Sequence, residues 1–117
     1  MKIIILVPIY NDWQSVSKLL EEINSNIAGL QSQFSIIIIN DASTDQQSIN
    51  ALNTENLHSI KIINMKENRG HARCIATGLK HIFEKEEFDY VIPMDGDGED
   101  RAEEIKSFVE YLSYSSD

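Results

Sequence analysis

The chain has 117 residues, of which 42% are hydrophobic and 25% are charged, as in an ordinary globular domain. Ten Lys and Arg against 19 Asp and Glu give a formal net charge of -9 without clustered basic residues, which argues against a nucleic-acid-binding surface. The single cysteine excludes an intrachain disulfide and fits a reducing compartment. No stretch approaches the roughly 20 apolar residues of a membrane span, so we predict one cytoplasmic domain without a membrane segment.

Apolar runs and amphipathic segments alternate along the chain. The predicted strands cover residues 3–7, 34–39, 60–63 and 90–93. Pro8 is predicted to end the first of them. The first predicted helix begins at a cap, Asn11 or Asp12, and ends near Gly29. Three further helices are predicted, over residues 46–53, from His71 onward and over 102–112. Such β-α alternation predicts an α/β fold with a parallel sheet and helices on both faces. Pro93 is expected at a bulge or strand end, because proline cannot donate to a sheet.

Polar residues follow each predicted strand. They occupy 8–12, 40–45, 68–69 and 95–100. In open α/β sheets ligands bind beyond the carboxyl ends of the strands, where the strand order reverses. If the order is 3-2-1-4, the crevice lies between the first and fourth strands, and the turn after Pro8 faces the acidic turn across it.

The acidic turn Met94–Asp100 places four carboxylates within six residues, with glycine between the first three. Like charges this close raise one another's pKa unless a cation lies among them. Oxygen ligands of this kind suit Mg²⁺, Mn²⁺ or Ca²⁺. The turn does not fit an EF-hand, since Asp100 and Lys106 stand where that loop needs glycine and glutamate. A solvated acidic loop is the alternative.

Several single residues have both a binding and a structural interpretation. Asp41 can accept a uracil N3–H or a ribose hydroxyl, or cap the next helix. Tyr10 offers a ring face for a base, or packs in the turn. Arg69 and Arg73 can reach phosphate, or remain solvated. For the remaining chemically active side chains we predict structural roles: core or cap positions for His71, His81 and Cys74, and a loop position for His58.

Four segments in order resemble glycosyltransferase family 2. Val7–Asp12 resembles its V-P-x-Y-N-E/D opening, and Ile39–Asp45 its D-D-G-S-x-D loop, with Ala42 in place of the glycine. Asn68–Gly70 with the later Gly78 is similar to its N-x-G…A…G segment, and Asp95–Asp97 to its D-x-D motif. Within the family, residues 95–105 look most like the polyprenyl-phosphate sugar synthases, such as the dolichol-phosphate mannose type.

This resemblance implies the N-terminal, nucleotide-sugar-binding half of a GT-A fold: a Rossmann-like sheet of order 3-2-1-4. A UDP- or GDP-linked sugar is the implied partner, and Mg²⁺ or Mn²⁺ the implied cofactor. The implied nucleotide-binding residues are Pro8, Ile9, Tyr10, Asp12, Asn40, Asp41, Asn68, Arg73, Asp95 and Gly96. The implied metal ligands are Asp97, Asp95 and Glu99.

No residue is nominated as the catalytic base that an inverting transferase needs. We therefore expect residues 1–117 to form one donor-binding domain, truncated before the acceptor-binding part and weak or inert in transfer. The acceptor would be a polyprenyl phosphate or a polysaccharide, and a full-length protein could act at the cytoplasmic face of a membrane. The alternatives are a non-catalytic nucleotide- or metal-binding module and another metal-dependent phosphate-ester enzyme.

Overall fold

A four-stranded parallel sheet forms the centre of the molecule. The computed structural model describes residues 1–51, 53–96 and 102–115. The strands are β1 (Lys2–Ile9), β2 (Gln33–Asn40), β3 (Ser59–Asn64) and β4 (Tyr90–Pro93). The helices are α1 (Trp13–Asn26), α2 (His71–Lys85) and α3 (Glu103–Ser115). The strand order β3-β2-β1-β4 confirms the predicted α/β class and topology, and it places the order reversal between β1 and β4.

The two prolines lie at the carboxyl end of the β1–β4 pair. β4 ends at Pro93, opposite Leu6, which confirms the prediction of a strand end there. The prediction that Pro8 ends the first strand was wrong, because β1 continues to Ile9. The Leu6 carbonyl faces β4, where it accepts from the Met94 N–H. Pro8 has the same parity and faces the same side, beyond the last β4 residue, so its missing N–H costs no ladder bond.

Helices cover both faces of the sheet, as predicted. Alternate side chains of β1 and β2, including Ile5 and Ile36, pack with α1 and α3 on one face. The intervening side chains, including Leu6 and Ile39, pack with α2 on the other. Both faces of β1 and β2 are buried, which explains their unbroken apolar runs in the sequence.

Gly78 allows α2 to approach the sheet closely. A Cβ added at this position would lie 3.0 Å from Leu6 Cδ2 and 3.2 Å from Ile39 Cγ1, closer than ordinary van der Waals contact. Leu6 and Ile39 are fully buried in the layer beneath α2. Gly78 therefore fixes how near α2, and the loop before it, can lie to the strands.

The predicted helix over 46–53 was wrong. Residues 46–51 and 53, the described part of that range, are not helical. Two buried polar side chains of α1 bind the β2–β3 connection instead: Ser17 Oγ accepts the Asn50 N–H at 2.9 Å, and Asn24 Oδ1 accepts the Asn56 N–H at 2.7 Å. These side chains accept hydrogen bonds from backbone N–H groups of the connection, and Ile49 packs against the core. The segment therefore crosses α1 in an irregular conformation.

Candidate functional site

A cleft of about 180 Å³ lies between the loops that follow β1 and β4. It is lined by Pro8, Ile9, Tyr10, Asp12, His71, Asp95 and Gly96. The turn after β1 and the start of the acidic turn face each other across it, as the strand order predicts. Tyr10 is 47% exposed, so its ring is open to a ligand, whereas Ile9 belongs to the core.

Gly96 lies directly against β1. A Cβ at this position would lie 2.8 Å from Ile9 Cγ2 and 3.2 Å from Val7 Cγ1. Any side chain here would push Asp95 and Gly96 away from β1 and widen the cleft. Gly96 therefore sets the distance between Asp95 and the residues that follow β1.

The loop after β1 is built by a cap and a cross-link. Asp12 is the N-cap of α1, with Oδ1 accepting the Ser15 N–H at 3.2 Å. Asn11 has a positive φ of 63°, which asparagine tolerates better than most residues. Its backbone N–H donates to Ser43 Oγ at 2.8 Å, and its Oδ1 accepts the Asp45 N–H at 2.9 Å. These bonds fasten the β1 loop to the β2 loop.

Asp41, directly after β2, is only 5% exposed, and its carboxylate holds the loop before α2. Oδ1 accepts the Arg69 N–H at 2.7 Å, and Oδ2 accepts the Gly70 N–H at 2.9 Å. Asn68 Nδ2 donates to the Asp41 carbonyl at 3.2 Å. Burial, together with a hydrogen bond to Asp41, raises the pKa of the Cys74 thiol to about 12. The structural role of Asp41 is thus to clamp the distant α2 loop rather than to cap the segment that follows it.

The ends of β2 and β3 are joined through asparagine side chains. Asn40 Nδ2 donates to Asn64 Oδ1 at 2.9 Å, while Asn40 Oδ1 accepts the Ser43 N–H at 3.0 Å. Ala42, which lies between Asn40 and Ser43 in the chain, adopts a positive φ of 57°, a conformation that favours glycine. The alanine at this position is therefore strained by its own backbone.

Replacing Ala42 with glycine is expected to stabilise the protein by about 0.5 to 1 kcal/mol, because relief of the left-handed conformation exceeds the added entropy of the unfolded chain. Urea unfolding followed by the fluorescence of Trp13, the single tryptophan, measures the change. Ala76→Gly is the matched control. Ala76 lies exposed within α2, where glycine should destabilise by about 1 kcal/mol. Destabilisation by both substitutions would contradict the strain at Ala42.

His71 is the cleft residue for which the sequence interpretation was wrong. Its side chain is 62% exposed, so it is not in the core, and the N-cap of α2 is Gly70. His71 Nε2 lies 3.2 Å from Asp95 Oδ1. The available signal was its place directly after the Asn68–Gly70 motif, at the first position of a helix that starts where the carboxyl ends of the strands lie. Cys74, in contrast, is fully buried as predicted.

The cleft carries carboxylates, and none of its lining residues is lysine or arginine. Arg69 pairs with Glu67 at 3.4 Å, and Arg73 lies exposed on α2, outside the cleft lining. The cleft can therefore accept hydrogen bonds from hydroxyl or N–H groups of a ligand. An anionic ligand would need a cation between it and the carboxylates.

The predicted site residues fall into four groups. The cleft itself brings together Pro8, Ile9, Tyr10, Asp12, Asp95 and Gly96. The adjoining loop network contains Asn40, Asp41 and Asn68, and Arg73 lies apart. Asp97 and Glu99, two of the predicted metal ligands, lie outside the described residues. Within residues 1–51, 53–96 and 102–115 no three acidic, histidine or cysteine side chains form a metal-binding group.

Comparison with known proteins gives a family and a fold. The model of a family described as "Glycosyl transferase family 2" matches residues 4–116. A crystal structure of S. aureus TarS matches with a TM-score of 0.74 at 23% identity, over 97% of this chain and 20% of that one. TarS 1-349 matches with a TM-score of 0.66 at 24% identity, over 97% and 33%.

A third solved structure is TarS 1-349 in complex with UDP-GlcNAc. It matches with a TM-score of 0.69 at 23% identity, over 97% of this chain and 32% of that one. The chain thus spans a fifth to a third of the matched structures. None of the helices in the described ranges is both long and apolar enough to span a membrane.

Proposed function

Since the chain belongs to glycosyl transferase family 2, we propose that its cleft binds the nucleoside diphosphate of a nucleotide sugar during transfer of the sugar to an acceptor. The observation that carries this proposal is the cleft at the β1–β4 strand reversal, where Tyr10, Asp12 and Asp95 converge. Such crevices are the ligand sites of open α/β sheets. One side supplies a ring and a helix cap, the other a carboxylate on a close-packed turn.

The proposed division of roles follows from exposure. The exposed Tyr10 ring stacks with the base, and the Asp95 carboxylate accepts from a ribose hydroxyl. Asp41 and Asn40 belong to the layer beneath, where they fix the loops that form the rim. They therefore contribute to nucleotide binding by fixing the position of the loops. Both carboxylate oxygens of Asp41 already accept backbone N–H groups, so a direct contact with the nucleotide would share these oxygens.

Metal dependence is part of the proposal because of charge. A diphosphate entering the cleft meets the carboxylates of Asp12 and Asp95, and the lining contains no lysine or arginine that could offset them. Carboxylate oxygens are the ligands that Mg²⁺ and Mn²⁺ prefer, so the donor set fits such an ion. Asp95, with Asp97 and Glu99, would hold it. The bound cation would neutralise the diphosphate as a leaving group.

The acceptor is proposed from the acidic turn. Residues 95–105 resemble the polyprenyl-phosphate sugar synthases, so a polyprenyl phosphate is the first acceptor to test and a polysaccharide the second. The TarS complex contains UDP-GlcNAc, which makes UDP-linked sugars the first donors to test, with GDP-linked sugars beside them. Transfer activity is tested on the longest available form of the protein as well as on residues 1–117.

We expect calorimetric titration with UDP to show binding that Mn²⁺ strengthens about tenfold or more, equivalent to roughly 1.4 kcal/mol, and that EDTA reverses. Asp95→Ala should remove most of this enhancement. Asp89→Ala is the matched control, because Asp89 precedes the same strand at the opposite edge of the sheet, where it accepts the Lys2 N–H. Equal binding by both variants would contradict the placement of the site.

Two other outcomes identify the alternatives. If neither UDP, GDP nor their sugars bind in the presence of Mn²⁺ or Mg²⁺, the chain is a non-catalytic module of this fold. If it hydrolyses a simple phosphate ester such as p-nitrophenyl phosphate, and Asp95→Ala abolishes that activity, it is a metal-dependent phosphate-ester enzyme.

A further inference from the structure

His71 is placed in the cleft by a chain of backbone constraints. Asp41 Oδ2 holds the N–H of Gly70, whose positive φ of 92° turns the chain into α2. His71 is the next residue and the first of the helix. Its side chain enters the cleft lining together with Asp95, which comes from the loop after β4. The hydrogen bond from Gly70 to Asp41 therefore determines where the imidazole meets Asp95.

In the described part of the chain, His71 belongs to neither hydrophobic core cluster. The N-cap of α2 is Gly70, and 62% of the His71 side chain is exposed. The contact that the structure gives it is Nε2 to Asp95 Oδ1, at 3.2 Å. This contact brings an imidazole nitrogen and a carboxylate oxygen within ion-pair distance.

We propose that His71 is a positioning residue, which holds the Asp95 carboxylate in the orientation that receives the nucleotide; this rests on the proposed function. A carboxylate beside a glycine loses rotamer freedom when it binds a ligand, and a preformed contact reduces that loss. His71 also connects α2 to Asp95 across the cleft.

The test compares UDP affinity in the presence of Mn²⁺ for four proteins. His71→Ala should weaken binding about tenfold, because the carboxylate then loses its contact with the imidazole. His71→Gln should recover most of the affinity, since its amide nitrogen reaches about as far as Nε2. His81→Ala is the matched control: His81 is on the same helix and also contacts a carboxylate, with Nε2 3.3 Å from Glu86 Oε2, outside the cleft lining. Unfolding midpoints should match throughout.

A double-mutant cycle separates positioning from direct ligand contact. If His71 acts through Asp95, His71→Ala should cause no further loss in an Asp95→Ala background. An additive loss would overturn the proposal, as would equal affinities of wild type and His71→Ala. Absence of UDP binding by the wild type would instead refute the proposed function, and the inference with it.

The contact can also be measured without any nucleotide. The ring ¹⁵N shifts of His71 should change when Asp95 is replaced with alanine, while those of His81 should remain the same. Unchanged His71 shifts would show that the two side chains do not interact in solution and would overturn the proposal independently of binding.

Discussion

Asp41→Ala is expected to lower the free energy of unfolding by about 3 kcal/mol, because two backbone donors lose a charged acceptor in a buried place. The Asp41 carboxylate is 5% exposed and receives the N–H groups of Arg69 and Gly70. Alanine would leave both groups without that acceptor at the start of α2. Urea unfolding followed by circular dichroism and by Trp13 fluorescence measures the loss.

The same substitution should weaken nucleotide binding in the fraction that remains folded, because Gly70 no longer fixes the loop that carries His71. Asp41→Asn keeps one acceptor oxygen but turns an NH₂ group toward the other backbone N–H, so its loss of stability should be intermediate. Asp45→Ala is the control, since Asp45 lies exposed in the same loop. If Asp41→Ala were no more destabilising than Asp45→Ala, the carboxylate would not be clamping the α2 loop.

Gly78→Val is expected to destabilise the protein by about 3 kcal/mol, at the upper end of overpacking effects in a close-packed core. The first added carbon already falls 3.0 Å from Leu6 Cδ2 and 3.2 Å from Ile39 Cγ1, and a branched side chain adds two further methyl groups to that contact. Leu6 is fully buried in the central strand, so it has little space in which to move. The expected result is displacement of α2 from the sheet, measured as a lowered unfolding midpoint in urea.

A control and a rescue show whether overpacking is the cause. Ala76→Val introduces the same side chain at an exposed position of α2, where only the weaker helix propensity of valine, roughly 0.5 kcal/mol, should matter. Leu6→Ala combined with Gly78→Val should be less destabilising than the sum of the two single changes, because each removes the conflict created by the other. Additive effects would show that the loss of stability does not come from the contact between residues 6 and 78.

The strands and most helices could be predicted because burial dictates their residues. The unbroken apolar runs of β1 and β2 require two covered faces, and this requirement gives a parallel sheet directly. The β2–β3 connection could not be predicted in the same way. Its conformation depends on Ser17 and Asn24 of α1, which interrupt an otherwise apolar helix face and bond to Asn50 and Asn56 more than 30 residues away. In the sequence, a polar residue on the apolar face of a helix was the only indication that this face binds another segment of the chain.

The candidate site could be predicted in outline for a related reason. Parallel strands bring their carboxyl ends to one edge, so polar residues after β1 and β4 must meet once the strand order is known. The sequence could not show which carboxylate faces the cleft and which is used internally. Asp12 and Asp95 line the cleft, whereas Asp41 is committed to a loop whose position depends on tertiary packing. His71 was misassigned because its role depends on that same loop.

The burial of Cys74 gives the molecule an internal reporter of its own opening. The thiol is fully buried beneath α2, and burial together with the hydrogen bond to Asp41 raises its pKa to about 12, so almost no reactive thiolate exists in the folded chain at neutral or mildly alkaline pH. Alkylation must therefore wait for α2 to separate from the sheet. The rate of thiol labelling in native buffer thus measures the local opening equilibrium of the element that carries Gly70 and His71, without denaturant and without an engineered cysteine.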